Sequence, residues 1–288
     1  MLKRFLLIAA LLAAFPASSH AQHAALHAGW VTAGACSQYL ALAGRMTAGF
    51  NTTAVQNLIC GMVTDGTYSL LDGLYVFATN SQSNAQLNWA QNAFNLTANG
   101  SITFAANTGV TSDGSTGYFN TGFTPSTAGG HYSANSASMG FCIVNNRTTG
   151  VSATNVGAVS TGGATFDYFN ALTPTNSWMN WVLHGSGRNT VVSGTRGHWV
   201  GSRTSSTAVA LYLNGNTTAV DSFSDTATVM SNVPVYILTA NNQGSAGGFV
   251  TDQTASVFIG AGLTSTQMQN IYNRLHTYFQ AVGQTTAC

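Results

Sequence analysis

Glutamate does not occur in this chain of 288 residues, and its single lysine, Lys3, sits at the extreme N-terminus. Charged side chains make up only 5% of the sequence. Beyond the leader discussed below, six arginines face seven aspartates. Such a chain has no basic field to gather phosphates, which argues against nucleic acid as a partner. Glycoside hydrolysis needs two carboxyl groups flanking the scissile bond. No aspartate pair stands at strand spacing here, and Asp221 and Asp225 come nearest. No GxSxG nucleophile elbow occurs. Zinc-ligand spacings of cysteine and histidine, and the EF-hand pattern, are missing too. After the leader, no apolar run approaches the ~20 residues of a membrane span. Together these absences point away from an enzyme, with a glycoside hydrolase the remote third reading.

What is present is a polar surface assembled from Ser, Thr, Asn, Gln and Gly. The 45% hydrophobic content is too high for a disordered polar chain. Low charge gives little colloidal repulsion, which suits self-association or a polar, uncharged ligand.

The N-terminus reads as an export signal over residues 1–21. Lys3 and Arg4 precede an apolar run from Phe5 to Phe15, Pro16 breaks it, and Ser19-His20-Ala21 supplies small residues at a cleavage site. The expected location is therefore secreted, periplasmic or extracellular. Four cysteines follow: Cys36, Cys60, Cys142 and Cys288. An even number in an exported chain permits disulfides, with three possible pairings. Cys36 with Cys60 is the expected pair, both lying in the helical part, and buried free thiols are the alternative.

Three domain segments are expected: the signal, a helical segment over 22–72, and a β-rich domain with a closing helix over 73–288. Val55, Leu58, Ile59 and Met62 form one helical stripe over Thr53–Asp65, capped by Asn51 or Thr52 and stopped at Gly66. A shorter helix is expected over Cys36–Thr47. From Leu74 onward, short runs rich in Val, Ile, Phe, Tyr and Thr alternate with turn residues. They are Leu74–Phe77, Ser101–Phe104, Gly117–Phe119, Ala137–Val144, Thr165–Phe169, Trp181–His184, Thr190–Val192, Trp199–Ser202, Ala208–Leu213, Val235–Leu238 and Ala255–Ile259. Asn214-Gly215 predicts a type I′ turn from Ala208–Leu213 into a return strand over Thr217–Val220. At the end, Thr264 and Gln267 fit a capping box, and an apolar stripe from Met268 to Val282 runs to Gly283.

The run from Gly197 to Gly215, ending in Leu211-Tyr212-Leu213-Asn214-Gly215, resembles the hairpin of laminin-G-like, concanavalin A-like jelly rolls. Asn232–Leu238, Asn241-Asn242, Gly244-Ser245 and Ile259–Thr264 extend the likeness. So do Leu71–Ala78, Gly114–Tyr118 and Thr121–Thr127 upstream. In their order these stretches are similar to uncharacterised laminin-G-like proteins of phages, prophages and bacterial genomes. The resemblance implies an all-β, two-sheet antiparallel jelly-roll sandwich, with an N-terminal helical segment and a C-terminal helix. It implies a non-enzymatic recognition module for carbohydrate or a cell-surface protein. The alternative is a structural or assembly protein of a phage-like particle or cell envelope, which would be virion-associated.

Binding candidates cluster in one stretch. Tyr168, Trp178, Trp181 and Trp199 stand among Asn, Ser and Thr, an arrangement in which flat rings take sugar faces and amides reach hydroxyls. Trp181 and Trp199 are expected in the core, and Trp178, beside turn residues, on the surface. His184 and Arg188 in His184-Gly-Ser-Gly-Arg188 complete the candidate ligand set of Trp178, Tyr168, His184 and Arg188. Along a strand, His198 and Trp199 must face opposite ways. No cofactor is called for. Ca²⁺ enters only through Asp113, Asp167 and Asp252, rim aspartates for which the plain alternative is a solvent-exposed turn residue.

Overall fold

A computed structural model describes residues 34–146, 153–162, 188–192, 194–284 and 288 in full, and 166–171 and 178–183 as backbone. The expected signal, residues 1–21, lies outside the described residues. Residues 36–288 form one compact unit.

The chain is a two-sheet β-sandwich of jelly-roll type with a closing helix. The first sheet holds β1 (Leu71–Val76), β3 (Ile102–Ala105), β4 (Gly109–Ser112), β6 (Ala137–Ile143), β11 (Gly197–Arg203), β12 (Ala208–Leu213), β13 (Asp221–Ser224) and β17 (Thr254–Gly260). Its order is β13-β12-β11-β6-β17-β4-β3, with β1 also on β17. The second holds β2 (Thr97–Asn99), β5 (Tyr118–Asn120), β7 (Ala153–Val159), β8 (Phe166–Ala171), β9 (Trp178–Leu183), β10 (Arg188–Val191) and β14 (Tyr236–Ile237). Its order is β10-β9-β8-β7-β14-β5-β2. The small hairpin β15 (Ala240–Asn242) and β16 (Ser245–Gly247) joins it through β7. That β15–β7 contact is parallel, and the other ladders are antiparallel.

Between the sheets lies a core in which Tyr75, Phe119, Phe141, Trp199, Val257 and Ile259 are fully buried. Each aliphatic or phenyl side chain removed from water there contributes about 1.5–3 kcal/mol. Alternation then decides the other face. In β1, β6, β11 and β17 every residue is buried, so the face turned away from this core is covered too.

Helices supply the cover. Besides α1 (Ser37–Ala43) and the short α3 (Gln82–Ala85), these are α2 (Thr52–Thr64) and α4 (Ser265–Ala281). The Asn51 side chain accepts from Ala54 N at 3.0 Å to cap α2, and Gly66 turns at φ 70° beyond its end. For α4 the Thr264–Gln267 capping box forms as expected. The buried stripe Met268, Ile271, Leu275, Tyr278 and Phe279 faces the sandwich. The Tyr278 hydroxyl donates to Ala78 O at 3.0 Å. Helix α1 ends earlier than the expected Thr47, whose N–H is taken by Asn84 Oδ1 at 2.7 Å.

Two disulfides tie this layer down. Cys36–Cys60 joins α1 to α2, the expected pair, and Cys142–Cys288 joins the C-terminal end of β6 to Cys288. The free-thiol alternative is thereby set aside. His198 and Trp199 face opposite ways, as alternation requires. Trp199 enters the core and donates from its indole to Thr195 O at 2.9 Å. His198 lies beneath α4, its ring 5.7 Å from that of Tyr272 and 5.9 Å from that of Phe258. It is 1% exposed, and neither ring nitrogen has a hydrogen-bond partner. Burial pushes its pKa down to about 3.

The Asn214-Gly215 turn takes the expected positive φ values, 52° and 69°. The return strand differs from expectation: it is Asp221–Ser224, not Thr217–Val220. Asn214 stays bound to β11, its N–H donating to His198 O at 2.9 Å and its Oδ1 accepting from His198 N at 2.8 Å. That anchoring pushes residues 216–220 outward before pairing resumes.

Candidate functional site

The helix layer stops short of the sheet's β12–β13 end. Burial there alternates: Ala208 is exposed, Val209 buried, Ala210 half-buried and Leu211 buried, while β13 alternates between half-buried and exposed. The core-facing residues are Val209 and Leu211, so Ala210, Ser222 and Ser224 face outward. A trough of ≈ 530 Å³ runs over β11, β12 and β13, lined among others by Thr204, Thr207, Ala208, Tyr212, Ser222 and Ser224.

Register builds its floor. Ser202, Ala210 and Ser222 stand opposite one another across three strands, and Ala208 stands opposite Ser224. Small side chains keep the floor low, and Tyr212, opposite Val200, raises a wall. Burial pushes the Tyr212 phenol pKa up, so its O–H remains a donor at neutral pH. None of the lining side chains carries a charge at that pH.

The far end is held rigidly. Arg203, fully buried, donates to Asp225 Oδ2 at 2.9 Å, to Asp225 O at 2.7 Å and to Ser206 O at 3.3 Å. Ser205 Oγ accepts from Ala208 N at 3.0 Å, and Ser202 Oγ both donates to Leu263 O and accepts from Leu263 N. A site whose supporting shell is fixed in this way loses little entropy on binding.

Of the expected ligand residues, the structure describes Arg188 in full and Trp178 and Tyr168 as backbone. Arg188 lies on β10, the edge strand of the second sheet. Its Nε donates to Asp221 Oδ2 at 2.7 Å, and its guanidinium sits 5.2 Å from the centre of the Phe223 ring, which lines the trough. Thr190 Oγ1 donates to the same oxygen at 2.7 Å. Arg188 therefore stitches the edge strands of the two sheets together, while its side chain stays 46% exposed. Trp178 is the first residue of β9, opposite Val191, and Tyr168 lies on β8, opposite Val182. His184 lies outside the described residues, as do the turn residues 172–177 before Trp178.

The described carboxylates are spent on structure, and the Asp167 side chain lies outside the described residues. Asp113 Oδ1 accepts from the N–H groups of Ser115, Thr116 and Gly117 and its Oδ2 from the Thr116 hydroxyl, which hold its pKa well below the usual range. It is a turn residue. Asp72, buried, accepts from the backbone of His131 and Tyr132 and from the His131 ring. Asp65 takes Arg274 at 2.8 and 3.0 Å, and Asp252 takes Asn155 at 3.0 Å. Among the described residues no cluster of three or more metal-ligating side chains occurs, and no helix is long and apolar enough to cross a membrane.

Sequence reasoning singled out Asn214-Gly215 and passed over Tyr212, three residues upstream of that glycine. The signal was the alternation of Ala208, Ala210 and Tyr212 on a strand whose other face is apolar.

No family model matches the chain, and no curated protein matches it. Among solved structures it is similar to domain 4 of AbnA, a GH43 extracellular arabinanase from Geobacillus stearothermophilus, in complex with arabinotriose. The identity is 16% and the TM-score 0.47, over 70% of this chain and 98% of that one. It is also similar to the receptor binding domain of botulinum neurotoxin D, at 10% identity and TM-score 0.49, over 72% of this chain and 53% of that one. A third is the Ruminococcus gnavus IT-sialidase CBM40 bound to α2,3 sialyllactose, at 8% identity and TM-score 0.38, over 48% and 82%. The chain thus spans about half of the toxin domain's chain.

Proposed function

We propose that this domain is a non-catalytic recognition module that holds an uncharged saccharide in the β11–β13 trough. The observation that carries the reading is the lining itself: hydroxyls of Thr204, Thr207, Ser222 and Ser224, an alanine floor, and one tyrosine wall. Saccharides present hydroxyls at their edges and C–H groups on their faces, and this surface offers a partner for each. A peptide or phosphate ligand would leave its charges unpaired here. The engaged carboxylates support binding over hydrolysis, since Asp221 and Asp225, the acids nearest the trough, are both tied to arginines. The reading keeps Trp178, Tyr168 and Arg188, on strands of the second sheet, as further contacts, together with His184. Two disulfides suit an oxidising compartment outside the cytosol.

A glycan array probed with the whole domain tests this. Tyr212→Ala should weaken the best ligand about tenfold or more, with an unchanged melting temperature. Trp178→Ala on the same array reports on the second sheet. Binding should be insensitive to salt, because no ion pair forms. Failure to retain any saccharide, or retention that Tyr212→Ala leaves unchanged, would refute the trough as the site.

A further inference from the structure

A second cavity, of ≈ 360 Å³, opens at the opposite end of the helix layer, where α4 terminates. Four segments remote in sequence meet there: the turn before α2 with Phe50 and Asn51, Asn80 after β1, Asn107 in the β3–β4 turn, and Ala281 and Val282 at the end of α4. Its lining carries no charge, and three of its side chains are primary amides.

Two of those amides are fixed from behind. Asn51 caps α2 through Oδ1 and donates from Nδ2 to Ala281 O at 3.2 Å. Asn80 donates to Ala48 O at 3.1 Å and accepts from Asn84 Nδ2 at 2.8 Å. Asn51 keeps one N–H and one lone pair for a further partner, and Asn80, whose Oδ1 also accepts from Thr79 Oγ1 at 3.3 Å, keeps one N–H. Asn107 differs. Its backbone is locked, with N–H donating to Thr79 O at 2.7 Å and φ at 57°, and its exposed side chain is uncommitted. Asparagine tolerates this left-handed conformation better than bulkier residues. Phe50, half-buried, adds the one aromatic face.

We propose that this cavity is a second saccharide subsite, sized for one neutral monosaccharide residue stacked on Phe50 and bonded by the amides of Asn51, Asn80 and Asn107. The volume falls at the small end of the range for small-molecule pockets. Paired donor and acceptor groups on a rigid frame match vicinal hydroxyls, each of which both gives and takes a hydrogen bond. The subsite shares no lining residue with the trough, so either can fail alone. If both hold, one chain grips a glycan surface at two points, and avidity exceeds either affinity.

The test is a titration of the full ¹⁵N-labelled domain with methyl glycosides of glucose, galactose, mannose, arabinose and N-acetylglucosamine. The readout is the set of side-chain amide resonances. At least one glycoside should shift the Asn51, Asn80 and Asn107 amides together. Asn107→Ala and Phe50→Ala should each weaken that response about threefold to tenfold. Asn107 is exposed and Phe50 half-buried, and backbone spectra check that each variant keeps the fold. Tyr212→Ala should leave this response intact while abolishing any response at Ser222 and Ser224. Amide resonances unmoved by every glycoside, or a response that Asn107→Ala and Phe50→Ala do not reduce, would overturn the proposal without touching the trough.

Discussion

Replacing His198 with leucine should remove most of this domain's sensitivity to mild acid. In the folded protein the imidazole is enclosed by Phe258, Tyr272 and the strand backbone, with no partner for either nitrogen. Its folded pKa, about 3, compares with 6.5 for a solvated ring. Because the folded value is depressed, the contribution to stability is complete above pH 6.5 and is lost progressively as pH falls towards 3. The slope is about 1.4 kcal/mol per pH unit for one proton taken up on unfolding. Between pH 6.5, where the unfolded ring is already half-protonated, and pH 4.5 that amounts to about 2.3 kcal/mol, or about 5–9 °C in Tm for a domain of this size. Leucine has a similar volume and does not titrate. At pH 7 the variant should be as stable as the parent or more so, since it buries no unpaired polar atom. Urea melts of both proteins at pH 7 and pH 4.5 give the four numbers needed. All other titrating groups are common to both proteins and cancel in the double difference. If parent and His198→Leu lose the same stability on acidification, the ring is reached by water or a partner in solution, and the reasoning fails.

Removing the Cys142–Cys288 bond in the double variant Cys142→Ser/Cys288→Ser should cost about 2–5 kcal/mol. The bond closes a loop with a sequence separation of 146 residues, read out by urea unfolding against the oxidised parent. Asp225→Ala leaves the guanidinium of Arg203 buried without its counter-ion and should cost about 3–5 kcal/mol, with the end of the trough loosening in hydrogen exchange. Thr264→Ala opens the capping box of α4 and should cost about 1 kcal/mol, measured by thermal melting.

Elements that one local rule decides were legible in the sequence. A hydroxyl followed three residues later by glutamine caps α4, and a leucine-isoleucine-methionine stripe buries α2. The eleven apolar runs expected as strands all overlap strands in the fold. What stayed hidden depends on contacts far apart in the chain. Strand β7, Ala-Thr-Asn-Val-Gly-Ala-Val, reads as a turn-rich stretch because its side chains are small and polar. Yet every residue in it is buried, and Asn155 is satisfied by Asp252 across a sequence separation of 97. Strand β13, Asp-Ser-Phe-Ser, looks like a loop until Arg188 arrives from the other sheet to take Asp221. For the same reason the trough was invisible: its floor is a row of Ser202, Ala210 and Ser222 that only register assembles. The disulfide to Cys288 was likewise unreadable, since spacing alone leaves every pairing open.

The pairing of β1 with β17 brings residues 71–76 against residues 256–260. Synthesis therefore has to run through β17 before β1 meets its neighbour, and nascent chains of intermediate length hold a strand with an open hydrogen-bonding edge. Assembly by such distant contacts is slow, so survival of this polypeptide during biogenesis depends on being kept apart from other unfinished copies until the seventeenth strand is released.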